Sequence, residues 1–260
     1  ERYSPRNDTS GSMLTDLKLL AKNSQWRIVF VFNILLLTAV VTRGSATMYY
    51  VNYVLLRPEL VFAFIVSGMV ASLSGALLSE RLLGKFDRVR AYQWTIMTFV
   101  IFGALIFFIP PSQVWLIFGL NIVFSFIQNL TTPLQWTMFS DVVDYEEHRS
   151  GRRLDGLVFS TALFAIKFGL ALGGAVVGWV LGMVDYAPGQ VTQAPHVLST
   201  INALFTLIPC VLFLCMVALL SIYKLNSRLV DSIARELAGK RDVRPDAGKL
   251  SPATHSAIQE

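Results

Sequence analysis

Residues 157–184 read LVFSTALFAIKFGLALGGAVVGWVLGMV, an apolar run that carries a single charge, Lys167. The run exceeds the roughly 20 residues that a helix rising 1.5 Å per residue needs to cross about 30 Å of hydrocarbon. It shows no alternation of polar and apolar positions, which excludes a strand of a membrane barrel. A lysine near the centre of a spanning helix costs roughly 2.5 to 3.5 kcal/mol on insertion scales, so it is expected to face a cavity, a partner or a substrate. Snorkelling to the headgroups is the alternative, but about ten residues separate Lys167 from the start of the run. Gly174, Gly178 and Gly182 recur every four residues, with Gly169 and Gly173 close by, and small residues let a neighbouring helix approach. Lys167 precedes Gly174 by two turns, so lysine and stripe share a face that is expected to turn inward.

Five more stretches have the length and character to span a bilayer: 26–50, 60–79, 92–109, 114–139 and 198–223. Hydrophobic residues make up 54% of the chain and charged residues 15%, outside the usual range of soluble domains. The fold class expected is an all-α membrane protein of six transmembrane helices. Of the 22 lysines and arginines, 19 fall in the N-terminal segment to Arg27, in the loops around residues 81–90 and 149–153, and in the tail from Lys224. An even number of spans puts all four regions on one face, so both termini are expected in the cytoplasm. The net charge of +5 marks orientation, and its dispersal over separate loops argues against nucleic acid as a partner.

Residues 1–25 are expected to form a cytoplasmic linker containing a short amphipathic helix at the membrane surface, with Met13, Leu14, Leu17 and Leu20 at spacings of three and four. Residues 26–223 form the six-helix bundle, and 224–260 a cytoplasmic tail with one helical stretch followed by disorder. The polar start at Glu1 suggests a piece of something longer, and no enzymatic domain is expected at either end. Cys210 and Cys215 point in different directions on one helix and read as packing residues rather than a disulfide. Pro110-Pro111 and DYAPGQVTQAPH read as external turns.

The fourth span is unusually polar, with Asn121, Gln128, Asn129, Thr131, Thr132, Gln135 and Thr137, and Pro133 breaks its ladder. Buried amides in lipid need partners, so these residues are expected to line a cavity where the proline frees a backbone carbonyl; hydrogen bonding between helices is the alternative. Gln128, Thr132 and Trp136, with Asn129 beside them, lie on one helical face and are the candidate substrate contacts, since an aromatic ring beside amides suits the two faces of a sugar. Arg43 falls two-thirds of the way across the first span, where it either snorkels outward or faces a site. Tyr49, Tyr50 and Tyr53 fit an interfacial belt as well as a binding site. Between the fourth and fifth spans, DVVDYEEHRSGRRLDG sets acids before bases across one short cytoplasmic turn. It reads as a salt-bridge network at the mouth of a transport path; a metal site built on Asp144 and His148 is the weaker reading.

Together, NSQWRI, RGSATMYYV, TTPLQWTMFSDVVDYEEHRSGRRLDG and FAIKFGLALGGAVVGWVLG resemble the C-terminal half of glycoside-pentoside-hexuronide:cation symporters, the major-facilitator branch that includes melibiose permease. The resemblance covers nearly the whole chain. It implies one bundle of a twelve-helix fold in the bacterial inner membrane, with sugar bound between two halves that rock to alternate access. It also implies that Lys167 lies near the sugar and cation sites, and that Asp141, Asp144 and Arg153, with Arg152 beside them, form a cytoplasmic gate. The family's cation-binding carboxylates belong to the N-terminal half. No span here carries an acid deep enough to replace them, so the coupling cation, sodium or proton, is expected to find its main site there, and no other cofactor is implied. The function implied is cation-coupled symport of a sugar, glycoside or sugar acid. The alternatives are a sugar exporter, a six-helix subunit without transport, and a membrane enzyme using the acidic loop.

Overall fold

The computed structural model describes residues 13–83, 87–190 and 192–242. Within them six helical segments are long and apolar enough to cross a membrane: Ser24–Val54, Pro58–Leu82, Val89–Phe108, Val114–Ser150, Asp155–Met183 and Pro195–Ser221. A short helix, α1 (Met13–Ala21), precedes α2 (Ser24–Tyr49). The side chain of Asn23 starts α2 by accepting the amides of Gln25 and Trp26, two of the donors a helix start leaves unpaired. The span does not stop at Tyr50; a π turn over Tyr50–Val54 extends it.

After a 3-10 turn at Pro58–Leu60 come α3 (Val61–Leu83) and α4 (Arg88–Phe108). The fourth span is two helices, α5 (Val114–Leu130) and α6 (Thr132–Ser150), with Pro133 in the first turn of α6, where its missing N–H costs no helical bond. The expected cytoplasmic turn from Asp141 onward is instead the second half of α6, and the turn itself begins at Gly151, whose φ of 70° closes the helix in the left-handed region. The fifth span is α7 (Asp155–Met183). The sixth is also divided, into α8 (Pro195–Phe205) and α9 (Leu207–Ser221), and α10 (Ser227–Asp242) follows.

Helix α2 is the hub of the bundle, packing on α7, α9 and α8, while α3 packs on α5 and α4 on α9. Its pairing with α7 rests on Gly169 and Gly173. A Cβ at Gly169 would come within 2.8 Å of the Ile34 carbonyl oxygen, and one at Gly173 within 2.9 Å of that of Thr38. The hydroxyls of Thr38 and Thr42 donate to the carbonyls of Gly169 and Gly173, both at 3.3 Å. The stripe at Gly174, Gly178 and Gly182 was expected to make such a contact, yet all three stand open, with nothing within 4 Å of an added Cβ. The close-packing glycines lie on the opposite face, alongside Ala162, Ala165, Val177 and Leu181.

The outer faces of the bundle are apolar, with Phe62, Met69, Leu77, Trp94, Phe108, Trp115 and Met183 exposed, as suits a bundle solvated by lipid. The expected amphipathic helix is α1, with Leu20 buried and Met13, Leu14 and Leu17 exposed. Helix α10 lies against α6 and buries Val230, Ile233 and Leu237. The remainder of the linker (1–12) and of the tail (243–260), including its expected disorder, lies outside the described residues. Cys210 is buried and Cys215 exposed, and neither forms a disulfide.

Candidate functional site

Between α2, α3 and α5 lies an open cleft of about 690 Å³. Its polar lining is Arg43 and Thr47 from α2, Ser72 from α3, and Asn121, Ser125, Gln128 and Asn129 from α5; Phe64, Ile65, Met69 and Leu73 supply an apolar wall. A volume of this order, mostly apolar with a few convergent polar groups, is the usual form of a small-molecule site.

Arg43 organises one end. Its side chain is 5% exposed, so it does not snorkel to the membrane boundary. Nη1 donates to the Phe205 carbonyl at 2.7 Å and Nη2 to Asn121 Oδ1 at 3.2 Å. The guanidinium lies between two rings, 3.9 Å from the Phe124 centroid and 4.0 Å from that of Phe205. The Phe205 carbonyl is available because its helical donor would be the N–H of residue 209, which is Pro209. The break between α8 and α9 thus supplies the acceptor that holds Arg43. Tyr50 stacks on the other side of Phe205 at 4.3 Å, while Tyr49 and Tyr53 pack edge-on against Tyr186, and Tyr186 donates to the Tyr53 hydroxyl at 2.9 Å. These tyrosines tie helix ends together inside the bundle rather than forming an outward-facing belt.

Of the six candidate substrate contacts, the cavity gathers Arg43, Gln128 and Asn129. Thr132 sits just past the break at Thr131, where its hydroxyl donates to Asn129 Oδ1 at 3.3 Å, and it does not line the cavity. Trp136 is 44% exposed and packs beside Phe139, also away from the cavity. The reason is the same for both: the break between α5 and α6 interrupts the periodicity that put 128, 132 and 136 on one face. Lys167 does not line the cavity either. It lies on the open face of α7 with Ser160, Leu163, Phe164, Ala171 and Gly174, and makes no ion pair among the described residues. Asn121 was among the fourth-span polar residues expected to line a cavity, and it does; Thr47, Ser72 and Ser125 escaped the sequence reading because each is an ordinary polar residue until α2, α3 and α5 are laid together. The clash awaiting any Cβ at Gly75 with the Phe126 backbone shows how closely those two helices meet.

At the other end of α6 a charged cluster joins four elements. Arg153 reaches Asp144 at 3.2 Å, Glu147 at 2.8 Å and Asp155 at 2.7 Å, and Arg152 reaches Asp16 of α1 at 2.6 Å. Burial alone would lower the Arg153 pKa; hydrogen bonds and charge from Glu147 and Asp155 outweigh it and hold the guanidinium above its ordinary value. Asp141 is buried on α6. Glu146, one of the acids of the segment read as a salt-bridge network, is fully buried, accepting from Asn23 Nδ2 at 2.6 Å and from Arg149 at 3.1 Å. His148 pairs with Glu236 of α10 at 3.6 Å, not with Asp144, and no group of three potential metal ligands gathers among the described residues.

Comparison with known proteins gives a consistent picture. The MFS/sugar transport protein family matches residues 1–227. A protein of Escherichia coli (strain K12) named "Putative glycoside/cation symporter YagG" is 50% identical over 95% of the chain and 54% of its own length. The "Inner membrane symporter YicJ" of the same organism is 36% identical over 90% of the chain and 51% of its own length. The chain spans about half the length of these curated relatives.

Proposed function

The chain belongs to the MFS/sugar transport protein family, and from that premise we propose that it supplies the C-terminal half of a cation-coupled symporter for a sugar, glycoside or sugar acid. The observation that carries the reading is the cavity between α2, α3 and α5, with amide, hydroxyl and guanidinium donors set beside apolar side chains in a membrane-spanning bundle. Hydroxyl groups of a sugar would meet Gln128, Asn129 and Ser72, and its apolar ring face would meet Phe64 and Met69. The open side of this cavity, and the open face of α7 with Lys167, turn toward an N-terminal six-helix half.

In this mechanism the two halves rock about the bound substrate across the inner membrane, with both termini of the chain in the cytoplasm. The cluster of Asp141, Asp144, Arg152 and Arg153 belongs to the cytoplasmic gate, exchanging bridges as the path opens inward. The cation, sodium or proton, takes its main site on the other half, beside Lys167. The chain itself performs no catalysis.

The test is uptake of labelled glycosides, pentosides and sugar acids into membrane vesicles under imposed sodium or proton gradients, with the chain alone and with its N-terminal half. Gradient-driven accumulation only when both are present is the expected result. Accumulation by the chain alone, or none in either preparation, overturns the proposal.

A further inference from the structure

A second groove, of about 550 Å³, lies on the outer surface of the bundle where the first turns of α4 meet the last turns of α9. Arg90, Gln93, Trp94 and Met97 of α4 line one wall and Val217 and Ser221 of α9 the other. Helical spacing puts each set on a single face of its helix. Polarity changes along the groove. Arg90 and Ser221 stand at the ends of their membrane spans, with Gln93 one turn in, while Met97 lies about 10 Å deeper than Arg90 for its seven residues of helical rise and faces Val217. The shallow end offers donors and no acid. The Arg90 guanidinium, the Gln93 amide and the Trp94 indole N–H make no hydrogen bond among the described residues, and no aspartate or glutamate lines the groove. Asp87, one turn before Arg90, has both carboxylate oxygens engaged by the amides of Arg90 and Ser227. Lys224, three residues beyond Ser221, and Arg228, in the first turn of α10, are exposed at the same end. Neither they nor Arg90 form an ion pair among the described residues.

We infer that this groove binds one phospholipid with a net anionic headgroup. The phosphate takes charge-assisted hydrogen bonds from Arg90, supported by the Gln93 amide, and an acyl chain lies over Met97 and Val217. Trp94, 75% exposed, flanks the junction of headgroup and chain with its ring in hydrocarbon and its N–H toward the phosphate, the usual place of tryptophan at a membrane interface. A zwitterionic lipid brings the same phosphate, but its ammonium group meets no free carboxylate in the groove and the cations Lys224 and Arg228 beside it. Free phosphate would use the donors and leave the apolar floor idle, so the floor favours the lipid. The inference depends on the spanning bundle alone and is independent of where the sugar binds.

The probes are phosphatidylglycerol and phosphatidylcholine with the same acyl chains, titrated into the detergent-purified chain joined to its N-terminal half, with bound lipid read by native mass spectrometry. The unaltered protein should retain phosphatidylglycerol over phosphatidylcholine by about fivefold or more, the scale of one cation at an anionic headgroup. Arg90 is exposed, so Arg90→Gln leaves the fold intact, and it should lower that ratio by about fivefold. Val217→Trp, which fills the apolar floor, should lower retention of both lipids. Arg81→Gln removes an exposed cation from the last turn of α3, outside the groove, and should leave the ratio unchanged. Equal retention of the two lipids by the unaltered protein overturns the inference, as does an unchanged ratio in Arg90→Gln. Equal falls in Arg90→Gln and Arg81→Gln would assign the preference to surface charge at large and overturn the groove as its site. Full displacement of phosphatidylglycerol by millimolar inorganic phosphate, with Val217→Trp without effect, would make this a phosphate site and overturn the lipid.

Discussion

Replacing Gly169 by alanine should loosen the bundle at its hub. The added Cβ would lie 2.8 Å from both the Ile34 carbonyl oxygen and Leu37 Cβ, against a comfortable separation of about 3.5 Å, so α2 and α7 must part by more than half an ångström. Neither neighbour is the free end of a flexible side chain, and the displacement also lengthens the 3.3 Å bond from Thr38 to the Gly169 carbonyl. Overpacking of this kind costs about 1–3 kcal/mol, a loss of roughly 2–12 °C in melting temperature for a domain of this size. Gly174→Ala is the matched control, since its Cβ meets nothing within 4 Å. The assay is thermal unfolding of the purified chain in detergent, read by a thiol-reactive dye. Buried Cys210 reports opening of the bundle once exposed Cys215 has been replaced by serine. A Gly169→Ala protein as stable as its parent, or a Gly174→Ala protein equally weakened, would refute the packing described for α2 and α7.

Glu146→Ala should cost about 1–3 kcal/mol, the penalty of leaving the buried Asn23 amide unpaired, and should loosen α1; faster tryptic cleavage after exposed Lys22 is the readout. Pro209→Ala returns a helical donor to the Phe205 carbonyl and so weakens its hold on Arg43; in a double-mutant cycle the loss of stability in Arg43→Gln should be smaller in that background, whereas strict additivity would contradict the link. Asp87 caps α4 and accepts from the amides of Arg90 and Ser227, both at 3.2 Å; burial acts to raise its pKa, but those bonds outweigh it and the pKa is lowered. Its contribution is therefore present above the unfolded value of about 3.9 and lost as pH falls through the lower folded value, so Asp87→Asn should flatten the acid limb of the stability profile.

The number, order and approximate ends of the spans were legible because hydrocarbon imposes length and composition on each helix by itself. The interior of the bundle was less so. A glycine every four residues marks a face without saying what touches it, and on α7 the pair 169 and 173, at the same four-residue spacing, turns out to meet α2 while the stripe at 174, 178 and 182 stands open. The face drawn through Gln128, Thr132 and Trp136 assumed an unbroken helix, although Pro133 already signalled the break that separates them. Arg43 could be recognised as costly from its position, but one of its partners is the carbonyl of Phe205, 162 residues away, which Pro209 frees. The charged segment after Asp141 was read as a turn because acids and bases dominate it, whereas α6 continues to Ser150 and pairs them along a helix.

The decisive measurement for the cavity between α2, α3 and α5 is substrate protection at Ser72. Ser72→Cys is introduced into the chain with Cys210 and Cys215 replaced, joined to its N-terminal half, and its rate of alkylation by a small maleimide is followed with and without transported sugar. If the cavity holds the substrate, saturating sugar should slow the reaction at residue 72 while leaving a cysteine at exposed Trp94 unaffected. Equal alkylation rates at residue 72 with and without a sugar that the same vesicles accumulate would place the substrate elsewhere.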